Sequence, residues 1–227
     1  MRIFNIVSLV VASLTILGTS TIGSVAAPQT AKGKRKATGN GKVIAYLPDW
    51  TLGDSYSVSN IPWNKTDHIN YAFGSVVSAT VVNGFDSSKL KQVVEAAHNN
   101  KVTVSLSVGG WSGGKEFSNI AKTASGRTNF VKTLVALVDN FGLDGLDMDW
   151  EFPASKDGMI CNSVDPADSK NFVALLSQLR TALPSKILSV AAPLSPFNGP
   201  NYAPSNSVAD YAAIPDMYVH LMAYDVN

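Results

Sequence analysis

From Lys42 onward the chain alternates short apolar runs with longer stretches of helical periodicity. The runs cover 43–47, 69–73, 102–108, 143–148, 187–191 and 217–223. Short β-rich apolar runs of this kind predict six strands. Between them, 87–99, 125–141 and 168–183 read as helices. The first begins at a serine cap, Ser87, the second carries Phe130, Leu134, Leu137, Val138 and Phe141, and the third carries Phe172, Leu175, Leu176 and Leu179 before Pro184 ends it. Strand and helix in alternation predict an α/β fold with parallel strands covered by helices. A doubly wound open sheet and a β/α barrel both fit. Polar and glycine-rich residues gather after the strands, in Pro48-Asp49-Trp50, Gly109-Gly110-Trp111, Asp149-Trp150-Glu151 and Tyr224-Asp225. A site drawing on most strands at once favours the barrel.

The first residues follow another pattern. Arg2, an apolar stretch from Ile3 to Leu17 and small residues up to Ala27 read as a cleavable secretory signal over 1–27. Ser13, Thr15 and Gly18 to Thr21 interrupt the run, whereas a membrane anchor needs about 20 unbroken apolar residues. Residues 28–41 are polar and basic, which suits a flexible linker. That leaves 42–227 as one domain. A net charge of +1 favours neither nucleic acid nor an anionic membrane as partner. The single cysteine, Cys161, cannot form an internal disulfide, so a secreted fold must rely on its core. Asn64-Lys65-Thr66 is a glycosylation sequon, meaningful where Asn64 is exposed.

The chemistry concentrates in Asp144-Gly-Leu-Asp-Met-Asp-Trp-Glu151. Strand alternation sends Asp147, Asp149 and Glu151 to one face and Met148 and Trp150 to the other. Crowding like charges raises the pKa of at least one carboxyl, and the protonated member can act as general acid. Glu151, the longest and nearest the strand end, is best placed to reach a leaving group. Asp144 has the opposite parity and reads as structural. A calcium loop would need glycine where Phe152 stands and glutamate where Gly158 stands, so no metal is expected. Gly109-Gly-Trp-Ser-Gly-Gly-Lys115 has the spacing of a phosphate loop, yet Glu116 follows where Ser or Thr would hold magnesium, so no nucleotide or other cofactor is expected.

These residues resemble glycoside hydrolase family 18, the chitinases and their relatives. Asp144 to Glu151 is similar to the family's D-x-x-D-x-D-x-E pattern, Ser107-Val-Gly109-Gly110 with Trp111 to its S-x-G-G motif, and Met222-Ala-Tyr224-Asp225 to its M-x-Y-D motif. Ala45-Tyr46 and Asn70-Tyr-Ala-Phe73 add weaker support. The resemblance implies a TIM-type β/α barrel and retaining hydrolysis of β-1,4 bonds between N-acetylglucosamine units, in chitin or chitooligosaccharides, with the substrate's acetamido oxygen as nucleophile. It implies Glu151 as acid and base, and Asp149 as the group that orients the acetamido and stabilises the oxazolinium. Asp147 would sit deeper, sharing a proton with Asp149 and bonded by Ser107 and Tyr46. Tyr224 would hold the acetamido carbonyl, Met222 and Asp225 would line its pocket, and Phe73 and Trp111 would contact sugar.

A full barrel has eight strands, and six are expected in this chain. Such a barrel would leave its first and sixth strands with bare edges around an open apolar interior. The enzyme reading therefore stands beside a non-catalytic one, a chitin-binding lectin-like or inactive product, and beside a narrower enzyme reading, an endo-acting deglycosylase of glycoproteins.

Overall fold

The computed structural model describes residues 11–12, 41–156, 162–205 and 208–224. The expected signal and linker, apart from 11–12 and Gly41, lie outside the described residues, as do Cys161 and Asp225. Among the described residues eight strands occur in chain order: β1 Val11–Ala12, β2 Val43–Pro48, β3 His68–Ser78, β4 Val81–Asn83, β5 Thr103–Gly109, β6 Gly145–Asp149, β7 Ile187–Ala192 and β8 Met217–Leu221. The helices are α1 Ser87–Asn99, α2 Phe117–Ala121, α3 Ala124–Phe141, α4 Asp168–Ala182 and α5 Val208–Ala212.

All six expected strands form. β2, β3, β5, β6, β7 and β8 pair in that order, every pair parallel. Strands that pair in chain order wind in one direction, which is the barrel's topology and excludes the order reversal of a doubly wound sheet. The sheet is curled: the ring of Tyr46 on β2 meets that of His220 on β8 edge-on, with centroids 6.0 Å apart. β1, which falls within the segment expected to be a cleaved signal, pairs antiparallel with β2 in the full chain. β4 is a short return from the extended end of β3.

The two faces differ in chemistry. Ile69, Tyr71, Val104, Leu106, Val108, Leu146, Met148, Leu188 and Val190 point outward and join Leu90 and Val93 of α1, Phe130 and Leu134 of α3, and Phe172 and Leu175 of α4 in one buried core. The inward face carries Tyr46, His68, Asn70, Ser105, Ser107, Asp147, Ser189 and His220. The expectation of an apolar interior is thus corrected: the hydrophobic effect acts between sheet and helices, and the interior is polar. On β8 the outer face is uncovered, with Val219 and Leu221 exposed.

Local signals set the helix ends. The first cap is Asp86 rather than Ser87: its side chain accepts from the amides of Ser88 and Lys89 at 2.8 and 3.0 Å. A carboxylate at this position also meets the positive end of the helix dipole. Thr123 caps α3, whose far end turns through Gly142 at φ +64°. Asn64 is exposed, as its sequon requires.

Candidate active site

β6 is buried along its whole length, and its alternation divides as expected. Met148 and Trp150 enter the core, where the Trp150 ring stacks on Phe117 at 5.2 Å and meets Phe172 edge-on at 5.2 Å. Each such aromatic pair adds about 0.5–1.5 kcal/mol beyond area burial. Asp147 and Asp149 point into the interior, and Glu151 stands half-buried just past the strand.

Asp147 is fully buried and takes three hydroxyl donors. Tyr46 and Ser107 donate to Oδ2 at 2.8 and 2.7 Å, and Ser189 donates to Oδ1 at 2.7 Å. Hydrogen bonds to an ionised acceptor are about twice as strong as neutral ones, so this cradle suits a carboxylate. Burial, reinforced by the charges of Asp147 and Asp149, pushes the Tyr46 phenol far above its ordinary pKa, which keeps it a donor. Ser189 is a partner that the sequence reading missed.

Asp149 is also buried, and its Oδ1 has no hydrogen-bond partner among the described residues. Its pKa is held well above the usual carboxylate range, first by burial, then by Glu151 and Asp147. Burial also raises Glu151. Like-charge crowding was the cause expected from sequence; desolvation leads at both positions.

Asp144 sits at the other end of the strand. Its Oδ2 accepts from the Val104 amide and from His98 Nε2 of α1, each at 2.8 Å, so it fastens a helix and a strand away from the carboxylates.

The glycines of Ser107-Val-Gly-Gly110 permit close approach. A Cβ on Gly109, at φ +113°, would stand 2.0 Å from the Asp149 carbonyl, and one on Gly110 would stand 3.1 Å from the Phe73 ring. The Gly110 amide donates to that same carbonyl at 2.8 Å, locking β5 to β6 at the site. Trp50, after β2, lies 6.3 Å from Phe73 and is 67 % exposed; Trp111 is 50 % exposed. Trp50 and Phe73 thus form an aromatic pair, and Trp111 adds an exposed ring directly after β5. Trp50 was not among the expected site residues, although an exposed tryptophan directly after a strand was its signal.

The loop leaving Glu151 is pinned. Asn162 donates to the Glu151 carbonyl at 2.9 Å, Asn198 donates to the Ala154 carbonyl at 3.1 Å, and Asp168 Oδ2 accepts from the Asp165 amide at 2.8 Å. β8 ends at Leu221 rather than at residue 223. Met222, half-buried, donates its amide to Ala192 at 2.8 Å, and Tyr224 is exposed on the coil that follows.

Comparison with known proteins gives a consistent picture. The family model for glycosyl hydrolases family 18 matches residues 42–227. A chitinase-like effector of Moniliophthora roreri is 36 % identical over 80 % of this chain and 44 % of its own. The crystal structure of a chitinase from Rhizomucor miehei superposes with a TM-score of 0.75 at 43 % identity, covering 81 % of this chain and 57 % of that one. A group II chitinase domain of Ostrinia furnacalis, in complex with penta-N-acetylchitooctaose, matches at TM-score 0.58 and 26 % identity over 67 % of this chain and 43 % of its own. The chain spans about half the length of the curated relatives it matches.

Proposed function

The chain belongs to glycosyl hydrolases family 18, and from that membership we propose that it hydrolyses β-1,4 bonds between N-acetylglucosamine units of chitin. The observation that carries the proposal is the carboxylate series on β6. Asp147 is held by three hydroxyls, Asp149 is desolvated with an unpaired oxygen, and Glu151 is half-buried with a raised pKa at the strand end.

In this reading Glu151 is protonated in the resting site, as a general acid requires, and burial shifts its pKa upward, in that direction. Its proton goes to the glycosidic oxygen as the bond to the anomeric carbon breaks, and the acetamido oxygen of the same sugar forms the new bond to that carbon. Asp149 Oδ1, buried and unpaired, is the acceptor for the acetamido N–H, and the anion then faces the positive oxazolinium. Glu151, now ionised, removes a proton from water, which attacks the anomeric carbon and restores the acetamido group. The product keeps the configuration of the substrate. Tyr224, Met222 and Asp225 would complete the acetamido pocket. Trp50, Phe73 and Trp111 offer apolar faces for sugar rings, and the Ostrinia neighbour's bound oligosaccharide supports this ligand class. Secretion, expected from residues 1–27, would bring the chain to extracellular chitin.

The test compares the full chain with Glu151→Gln on defined chitooligosaccharides. Wild type shortens them; the variant loses about 10²–10⁴-fold in kcat while binding persists. Undiminished cleavage by the variant refutes the assignment. A second reading, chitin binding without cleavage, draws on the effector name of the Moniliophthora roreri relative. Wild type that binds oligomers and leaves them intact would establish it.

A further inference from the structure

The polar interior holds a chain of contacts that the proposed reaction does not use. Thr103 Oγ1 on β5 lies 2.7 Å from His68 Nδ1 on β3, and His68 Nε2 lies 3.0 Å from Asn70 Oδ1. Asn70 is fully buried, and its Nδ2 is a donor without a partner among the described residues. That amide neighbours the Tyr46 hydroxyl and favours the phenol's ionised form, while standing outside hydrogen-bonding geometry. Tyr46 in turn donates to Asp147.

A neutral imidazole has one donor and one acceptor, and which nitrogen bears the hydrogen is set by the partner of the other. Burial lowers the His68 pKa to about 4, against smaller opposing effects of the Asn70 contact, Asp147 and Asp144; His220 on β8 lowers it further. His68 is therefore neutral at ordinary pH. The Thr103 hydroxyl has one hydrogen and two acceptors in reach, the Asp67 carbonyl at 3.3 Å and His68 Nδ1 at 2.7 Å. Given to the nearer one, Nδ1, it leaves the hydrogen of His68 on Nε2, which demands an acceptor. Asn70 must then turn its oxygen to His68 and its NH2 toward Tyr46. The opposite tautomer would reverse the amide and present Asn70 Oδ1 to the Tyr46 hydroxyl. An oxygen there would face the phenolic oxygen with like partial charge in place of the amide hydrogens, and would stand as a second, more distant acceptor beside Asp147.

We propose that His68 is a positioning residue: held as the Nε2–H tautomer by Thr103, it orients the Asn70 amide so that Tyr46 directs its proton to Asp147. The inference rests on the reading of Asp147 as part of the reacting carboxylate series.

Two measurements test it on the full-length chain. In protein labelled with 15N-histidine, two-bond 1H–15N correlations should show His68 with protonated Nε2 and bare Nδ1, unchanged from pH 8 to pH 5. A protonated Nδ1, or titration near the ordinary midpoint of about 6.5, overturns the proposal. In the second, His68→Gln keeps a donor toward Asn70 and His68→Leu removes it. The Tyr46 hydroxyl proton resonance, assigned by its loss in Tyr46→Phe, and the pH profile of chitooligosaccharide cleavage should be retained in the Gln variant and shifted in the Leu variant. The Leu variant should also lose about tenfold in kcat with KM nearly constant. Equal behaviour of the two variants overturns the proposal. Should the Leu variant not fold, the wild-type tautomer and the Gln variant decide. If wild type cleaves nothing, the proposed function fails, while the tautomer and the Tyr46 resonance still judge this inference.

Discussion

Replacing Gly109 with alanine tests whether the approach of β5 to β6 sets the geometry of the carboxylates. Gly109 pairs with Asp149 in the parallel ladder. The new Cβ would lie 2.0 Å from the Asp149 carbonyl oxygen, 2.9 Å from its carbon and 2.8 Å from Phe117 Cε2. Two of these atoms are backbone, so no side chain can swing aside, and the strands must part by about 1 Å or more to relieve the contact. At φ +113° the alanine also occupies a conformation L residues rarely adopt, at about 1–3 kcal/mol. Overpacking adds about 1–3 kcal/mol, and loss of the Gly110 amide bond to the same carbonyl about 1 kcal/mol. The expected destabilisation is about 3–7 kcal/mol, a large part of the roughly 5–15 kcal/mol that holds a typical domain folded. Gly142→Ala is the control: its φ is +64° and no atom lies within 4 Å of the added carbon, so only the left-handed backbone term of about 1–2 kcal/mol applies. Urea unfolding of both variants gives the two losses directly. Where Gly109→Ala remains folded, displacement of Asp149 should lower kcat about 100-fold. If Gly109→Ala loses no more stability than Gly142→Ala, the close-approach argument is wrong.

Asp149→Asn should stabilise the protein at neutral pH. The carboxyl is held above its ordinary pKa, so its contribution is full below about pH 3.9 and is lost as pH rises through the folded value. Thermal melts from pH 4 to 8 should show the variant's advantage growing with pH; a growing disadvantage contradicts the desolvation account. Asp144→Ala removes the acceptor for Val104 and His98 and should lower stability by about 1–3 kcal/mol in urea, with oligosaccharide affinity by calorimetry unchanged. Trp50→Ala, at an exposed position, should weaken chitooligosaccharide binding about tenfold without moving Tm; unchanged affinity removes Trp50 from the proposed sugar contacts.

Strands and parity were legible because both follow from local pattern. The apolar runs located all six parallel strands, and the period of two sorted Met148 and Trp150 from Asp147, Asp149 and Glu151. What was missed depends on register, which one sequence does not encode. Ser189 reaches Asp147 only because β7 pairs with β6 at that level. His68, Asn70 and His220 gave a fainter signal of the same kind, polar residues at inward parity in otherwise apolar strands. At the start of α1, Asp86 and Ser87 are both competent caps, and only backbone geometry separates them. The cause of the raised carboxyl pKa values escaped for a related reason: a sequence displays charges, whereas burial appears only once the strands are paired.

The polar interior and the apolar outer layer are two consequences of one alternation, and this ties the site to the core. β6 carries Trp150 against Phe117 on one face and Asp149 on the other, with Glu151 following directly. Phe117 also lies against the space above Gly109, the residue opposite Asp149. Phe117 thus holds from the outside both strands that set the carboxylates on the inside. A substitution that loosens this aromatic contact must move the β6 backbone, and of the three carboxylates Asp147 is the one tied by hydroxyls from three other strands. Such a substitution should therefore disturb Asp149 and Glu151 before it disturbs Asp147, so that catalysis is lost at a smaller displacement than the integrity of the interior.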